Sequence, residues 1–188
     1  MEAIRLRTAD EVGRGEWILS TRIADALAEA ESRYGGRHGS FELSGYEYWN
    51  EEHPQIDIDH DARAATIYLV EKYRGNEPIE IHQAAHEVVH LLGPRHPARP
   101  TNFEEGLATL FAEQYAEAAT GIVFLNPPPN FRAARDAVRD FAADDSIIRS
   151  MRLEEPIFAD FTPALLLKFR PGFPVRKAEF LCESFKAL

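Results

Sequence analysis

His86-Glu87-Val88-Val89-His90 places two imidazoles four positions apart, with a carboxylate directly after the first. On an α-helix, positions i and i+4 differ by about 40° in direction and about 6 Å in height. Both rings therefore leave one face and can grip one metal ion. Glu87 points to the side of that face, where it can take a proton from a water that the ion activates. Two nitrogen ligands and a general base on one helix are the parts of a zinc hydrolase centre.

That chemistry requires a helix, and the flanking residues predict one. Asn76-Glu77-Pro78 reads as its start: Pro is tolerated in the first turn, and Glu77 and Glu80 suit the positive end of the dipole. Ile79, Ala85, Val88, Val89 and Leu92 supply apolar surface on more than one side. Two histidines on a buried helix need partners, because unpaired polar groups in a core are costly, and a metal ion would supply one. Gly93-Pro94 is the expected stop, with Gly in a left-handed exit and Pro unable to continue the ladder. His82 extends the same face one turn upstream and reads as a hydrogen-bonded helper or a rim residue, not a ligand.

A catalytic zinc usually has three protein ligands and one open position. Two residues are candidates for the third. His86 to His96 has the literal H-E-x-x-H-x-x-G-x-x-H spacing. It resembles the metzincins, in which the glycine turns the chain and the third histidine, here His96, swings back to the metal. That family also has a methionine turn beneath the metal, and the only internal methionine is Met151, 55 positions beyond His96. The other candidate is Glu105. Glu105-Gly106-Leu107-Ala108 resembles the second metal helix of the gluzincins, where a ligand glutamate is followed by Gly, an apolar residue and Ala. Glu104 stands where that family often has Asn, and 14 residues separate His90 from Glu105, a short connection.

The residues themselves favour Glu105. Phe103 to Ala119 is a strong helical pattern, with Phe103, Leu107, Leu110, Phe111 and Ala118 on one face. Glu105, Ala108, Thr109, Ala112, Ala116 and Ala119 form a second stripe of small residues, along which another helix can approach closely. A carboxylate at the end of such a stripe is buried and needs a cation or several donors. Around His96, by contrast, Pro94 restricts the backbone angles of Gly93. Arg95 to Pro100 reads as an exposed proline-rich loop. Met151 lies in a short helix that Ser146 could cap, and reads as a core residue.

The resemblance to zincin-type metallopeptidases runs from the strand near Thr66 to the end of the second helix. It implies a small sheet leading into the first metal helix. It also implies Zn2+ held by His86, His90 and Glu105, with Glu87 as the base that helps water cleave an amide of a peptide or protein substrate. The oxyanion donor in the family is commonly Tyr, His or Arg; Tyr46, Tyr48, Tyr115, His96 and Arg170 are the candidates here. Glu104 would hold a substrate amine or face solvent. A non-catalytic metal-binding or regulatory module is the alternative. Structural zinc sites are usually closed by four ligands and rich in Cys. This constellation has no Cys and keeps a Glu at the base position, which favours catalysis.

The 188 residues suit one domain, 1–188. Apolar content of 45% and charged content of 28% are those of an ordinary folded domain. A net charge of −10 argues against nucleic acid as a partner. No run of 18 apolar residues predicts a membrane span, and Glu2, Asp10, Glu11 and Glu16 do not read as a signal peptide. One cysteine, Cys182, cannot form an internal disulfide and fits a reducing compartment, with the cytoplasm as default.

The expected layout is α+β. Glu16 to Arg33 reads as a helix with Trp17, Ile18, Ile23, Leu27 and Ala30 inward. Phe41 to Trp49, Ile56 to Asp59 and Thr66 to Val70 read as strands, the last being the strongest. Helices follow at Asn130 to Ala143, Thr162 to Phe169 and Val175 to Ala187, built onto the metal helices as a helical C-terminal part.

Overall fold

The computed structural model describes residues 14–95, 100–124, 126–142 and 144–186, with side chains from residue 18 onward. Helix α1 (Arg14–Tyr34) comes first. It buries Ile23, Leu27 and Ala30 as expected, together with Leu19, Ala26 and Tyr34. Ile18 is 38% exposed and lies off this face, a correction to the predicted stripe; the side chain of Trp17 is outside the described residues.

Three strands follow: β1 (Glu42–Trp49), β2 (Gln55–Asp59) and β3 (Ala64–Val70). β3 is central, parallel to β1 and antiparallel to β2. It earns the centre by composition, since Ala65, Ile67, Leu69 and Val70 are all buried. Gly45 (φ 147°) marks a register slip against β3, so the glycine that weakens the alternation of β1 is where the ladder bends. Asp59 makes the β2–β3 turn by accepting from the Asp61 and Ala62 N–H groups.

A single 3-10 turn (Glu71–Tyr73) leads from β3 into α2 (Glu77–His90). Two side chains of α2 fix it against the sheet. Gln83 accepts from the Val70 N–H at 3.1 Å, and Glu80 accepts from the Gly75 N–H at 2.9 Å and from the Tyr48 hydroxyl. The helix ends at His90, and the chain leaves through a turn at Leu91–Leu92. Gly93 is not left-handed, contrary to the expected exit. It is required by contact: a Cβ there would lie 2.9 Å from the Pro156 carbonyl oxygen.

α3 (Asn102–Thr120) starts at a Thr101 cap and ends at Gly121, which is left-handed (φ 73°). Both predicted faces are buried except at the far end, where Ala118 is exposed. The small-residue stripe packs on α2, and the opposite side receives α4 (Pro129–Phe141). Gly106 allows that second contact, since a Cβ there would fall 2.4 Å from the Ala134 carbonyl oxygen.

The C-terminal part is helical: α5 (Asp145–Glu154), α6 (Pro163–Phe169) and α7 (Val175–Cys182). Asp144 caps α5 in place of Ser146, accepting from the Ser146 N–H at 2.8 Å, and Met151 is a core residue. α7 stops at Cys182. The chain beyond it is extended and bridges to the start of α3, with the Asn102 N–H donating to Glu183 and the Phe185 N–H to Pro100. The architecture is α+β, and no described helix is long and apolar enough to cross a membrane.

One buried arginine ties these parts together. The Arg152 guanidinium donates to five backbone carbonyls, those of Tyr34, Gly35, Gly36, Leu92 and Pro156, at 2.6–3.1 Å. Its five N–H groups are thus all used. Four of the carbonyls belong to the exits of α1 and α2, the negative ends of their dipoles, and Pro156 follows the end of α5. Replacing Arg152 by Met removes the donor from four of those acceptors, Leu92 keeping the His38 N–H. The expected loss is about 3 kcal/mol or more, read as a lowered urea midpoint with unchanged m-value.

Candidate metal centre

α2 and α3 cross so that His86, His90 and Glu105 each bring one ligand atom within 4.8 Å of the others. Glu105 Oε2 is 3.2 Å from His86 Nε2, and its Oε1 is 3.7 Å from His90 Nε2. Ligand atoms about 2.1 Å from a tetrahedral zinc lie about 3.4 Å apart. The two contacts, one from each oxygen of Glu105, lie on either side of that length. The donor set, two imidazoles and one carboxylate, is also one that catalytic zinc accepts. These residues therefore fit a divalent ion of the zinc type.

Glu104 corrects its own expectation. It does not face bulk solvent, and it lines the cleft. It is 6% exposed, and its Oε1 is 2.8 Å from His90 Nδ1. A carboxylate on Nδ1 fixes the ring with Nε2 toward Glu105, the arrangement that orients metal-binding histidines. Adjacent glutamates on one helix thus reach both nitrogens of one imidazole, one on each side.

Glu87, Glu104 and Glu105 are all under 8% exposed. Burial drives the Glu87 carboxyl above its ordinary pKa, partly offset by His86 and His90 and by a hydrogen bond from the Ile56 backbone. Burial alone would lower the His90 pKa, but Glu105, Glu104 and Glu87 outweigh it and raise it to about 10. Burial likewise opposes ionisation of Glu105, and His90 and His86 overcome it and hold its carboxyl low. The cluster is built around positive charge, supplied by a proton on His90 or by an ion in its place.

The triad opens into a cleft of about 790 Å³. β2 contributes Gln55 to Ile58, α2 contributes Ile79 and His82, and the segment before and into α4 contributes Phe124, Pro127, Pro128 and Phe131. Phe131 lies 6.0 Å from the His86 ring, centre to centre. The His82 ring stacks on Phe124, and burial lowers its pKa to about 4.

The proposed oxyanion donors are not gathered here. Tyr48 is bound to Glu80, Tyr115 to the Arg22 carbonyl, and Arg170 to the carbonyls of Asp140 and Phe141. None of these three, nor Tyr46, lines the cleft. His96 lies outside the described residues, so the rival third ligand has no position to compare. Glu104 and Phe131 are the site residues whose roles sequence reasoning missed. The pairing of Glu104 with an acceptor-seeking imidazole had one legible signal, a second carboxylate at the buried start of α3.

No family model matches the chain, and neither a curated protein nor a solved structure matches it significantly.

Two outcomes check this geometry. Glu104→Ala should keep the fold but weaken zinc binding by about 10–100-fold in a chelator competition titration. His82 makes stability depend on pH. Its folded pKa lies below the unfolded value of about 6.5, so its contribution is full above pH 6.5 and is lost as pH falls toward 4. Between pH 7 and 4.5, wild type should lose about 2–3 kcal/mol more than His82→Phe in denaturant titrations.

Proposed function

We propose that the protein is a zinc-dependent hydrolase of peptide bonds, of the zincin type. The observation that carries this reading is the meeting of two imidazoles and one carboxylate from two helices, beside a buried fourth group, Glu87, at the wall of an open cleft.

In this reading His86, His90 and Glu105 hold the ion, and Glu104 keeps the His90 ring turned toward it. When bound, zinc supplies a Lewis acid for a carbonyl oxygen and lowers the pKa of a water molecule to about 7. Glu87 takes a proton from that water and later delivers it to the leaving amine. The Ile56 N–H orients the Glu87 carboxylate for both transfers. The sheet edge at β2 runs along the cleft, where an extended peptide could add its backbone.

Peptide or protein substrates fit this cleft, and the net charge of −10 disfavours nucleic acid. A reducing compartment such as the cytoplasm suits the lone thiol of Cys182, which burial pushes up to about 11 and so keeps unreactive.

The test separates holding the ion from using it. Zinc-loaded protein is assayed on a mixture of internally quenched peptides, with metal content read by elemental analysis. Glu87→Gln should retain one zinc and lose at least about 100-fold in turnover. Glu105→Ala should lose the zinc, while His96→Ala should keep it. Undiminished turnover in Glu87→Gln, or loss of metal only in His96→Ala, would overturn the assignment.

A further inference from the structure

His82 stands four residues before His86, on the same face of α2, and lines the same cleft. Its ring is tilted 33° to Phe124 with centres 4.4 Å apart. Among the described residues no hydrogen bond reaches it. Its nitrogens are also not sealed in the core: the sealed side-chain atoms without partners are Tyr34 Oη and Asn130 Oδ1. Ile79, Phe124 and Pro127 give the cleft apolar wall, which Gln83, Asp57 and Asn126 also line. A polar ring placed there costs desolvation that Phe or Leu would avoid. Packing alone gives no reason for it.

We propose that His82 is a substrate-binding residue, whose imidazole hydrogen-bonds the main chain of a peptide lying in the cleft. A neutral imidazole carries one donor and one acceptor, the same pair that a peptide group presents in reverse. The ring is neutral near pH 7 because burial disfavours its charged form. Phe124 holds its plane, so little rotamer freedom remains to be lost on binding. One helical turn separates His82 from His86, about 6 Å along the axis. An extended chain rises about 3.3 Å per residue. The contacted peptide group is therefore about two residues from the one held at the metal centre. This inference rests on the metal centre proposed above, but not on turnover.

The experiment uses zinc-loaded full-length protein and hydroxamates, which chelate the ion directly. Acetohydroxamate has no peptide arm; two peptide hydroxamates extend from the metal to either side. Calorimetry gives the gain in affinity that each arm provides. In wild type one arm should tighten binding relative to acetohydroxamate. In His82→Phe, which keeps shape and stacking, that gain should fall at least tenfold while acetohydroxamate binding and zinc content stay unchanged. His82→Gln, which restores a donor and an acceptor, should recover most of the gain. An equal gain in His82→Phe overturns the proposal, as does an equal loss for acetohydroxamate, which would put the effect at the metal. If the hydroxamate pattern holds while no peptide is cleaved, the hydrolase reading fails and the His82 contact stands. If zinc-loaded protein binds none of the three hydroxamates, both fall.

Discussion

Three glutamates and two histidines share one buried pocket, and their charges must balance there. Glu87, Glu104 and Glu105 are almost fully removed from water, where an uncompensated carboxylate would cost several kcal/mol. A proton on His90 offsets part of that charge; a divalent ion offsets more and satisfies several lone pairs at once. This requirement explains why the two helices carrying the cluster are so thoroughly fixed. A small displacement between them would leave a carboxylate facing hydrocarbon.

The fixing is visible at each contact of α2 and α3. Ala108, Thr109 and Ala112 follow Glu105 along α3, each nearly or wholly buried, so the helices approach without long side chains between them. Gly106 does the same for α4 on the other side. Gln83 and Glu80 anchor α2 to the sheet, and Arg152 collects the carbonyls at its exit. Most of these residues lie away from the cleft, although Gln83 and Thr109 also line it. They fix the helices that bring His86, His90 and Glu105 together, the kind of support a metal site demands.

What was legible in the sequence was what depends on local periodicity. His86 and His90 share a face, with Glu87 at its side, because a helix has 3.6 residues per turn, and the small stripe of α3 marks Glu105 as buried for the same reason. Relations across the chain were hidden. Glu104 meets His90 only because two helices cross at one angle, and no spacing within either helix encodes that. Gly93 looked like a left-handed exit, yet it is small because Pro156, more than sixty positions away, lies against it. Ser146 and Asp144 both suit a cap, and a two-residue shift between them falls within the uncertainty of any helix boundary. α7 ends early because the residues after it find backbone partners at the entry to α3, a tertiary pairing that outweighs their helical pattern.

The same division separates the chemistry from the choice of what undergoes it. The candidate ligands His86, His90 and Glu105, and Glu87 beside them, come from two long helices, rigid elements with buried faces. The cleft walls come instead from an edge strand and from the irregular segment between α3 and α4, with Phe124 and the prolines of 127 and 128. Such segments tolerate substitution without disturbing the core, because few buried contacts depend on them. His82, like Ile79, lies on α2 and lines the cleft, so its position is as fixed as that of His86. Under the proposal above, a polar group on a rigid element would set the register of a bound chain, and the neighbouring Phe124 and prolines would decide which residues that register admits.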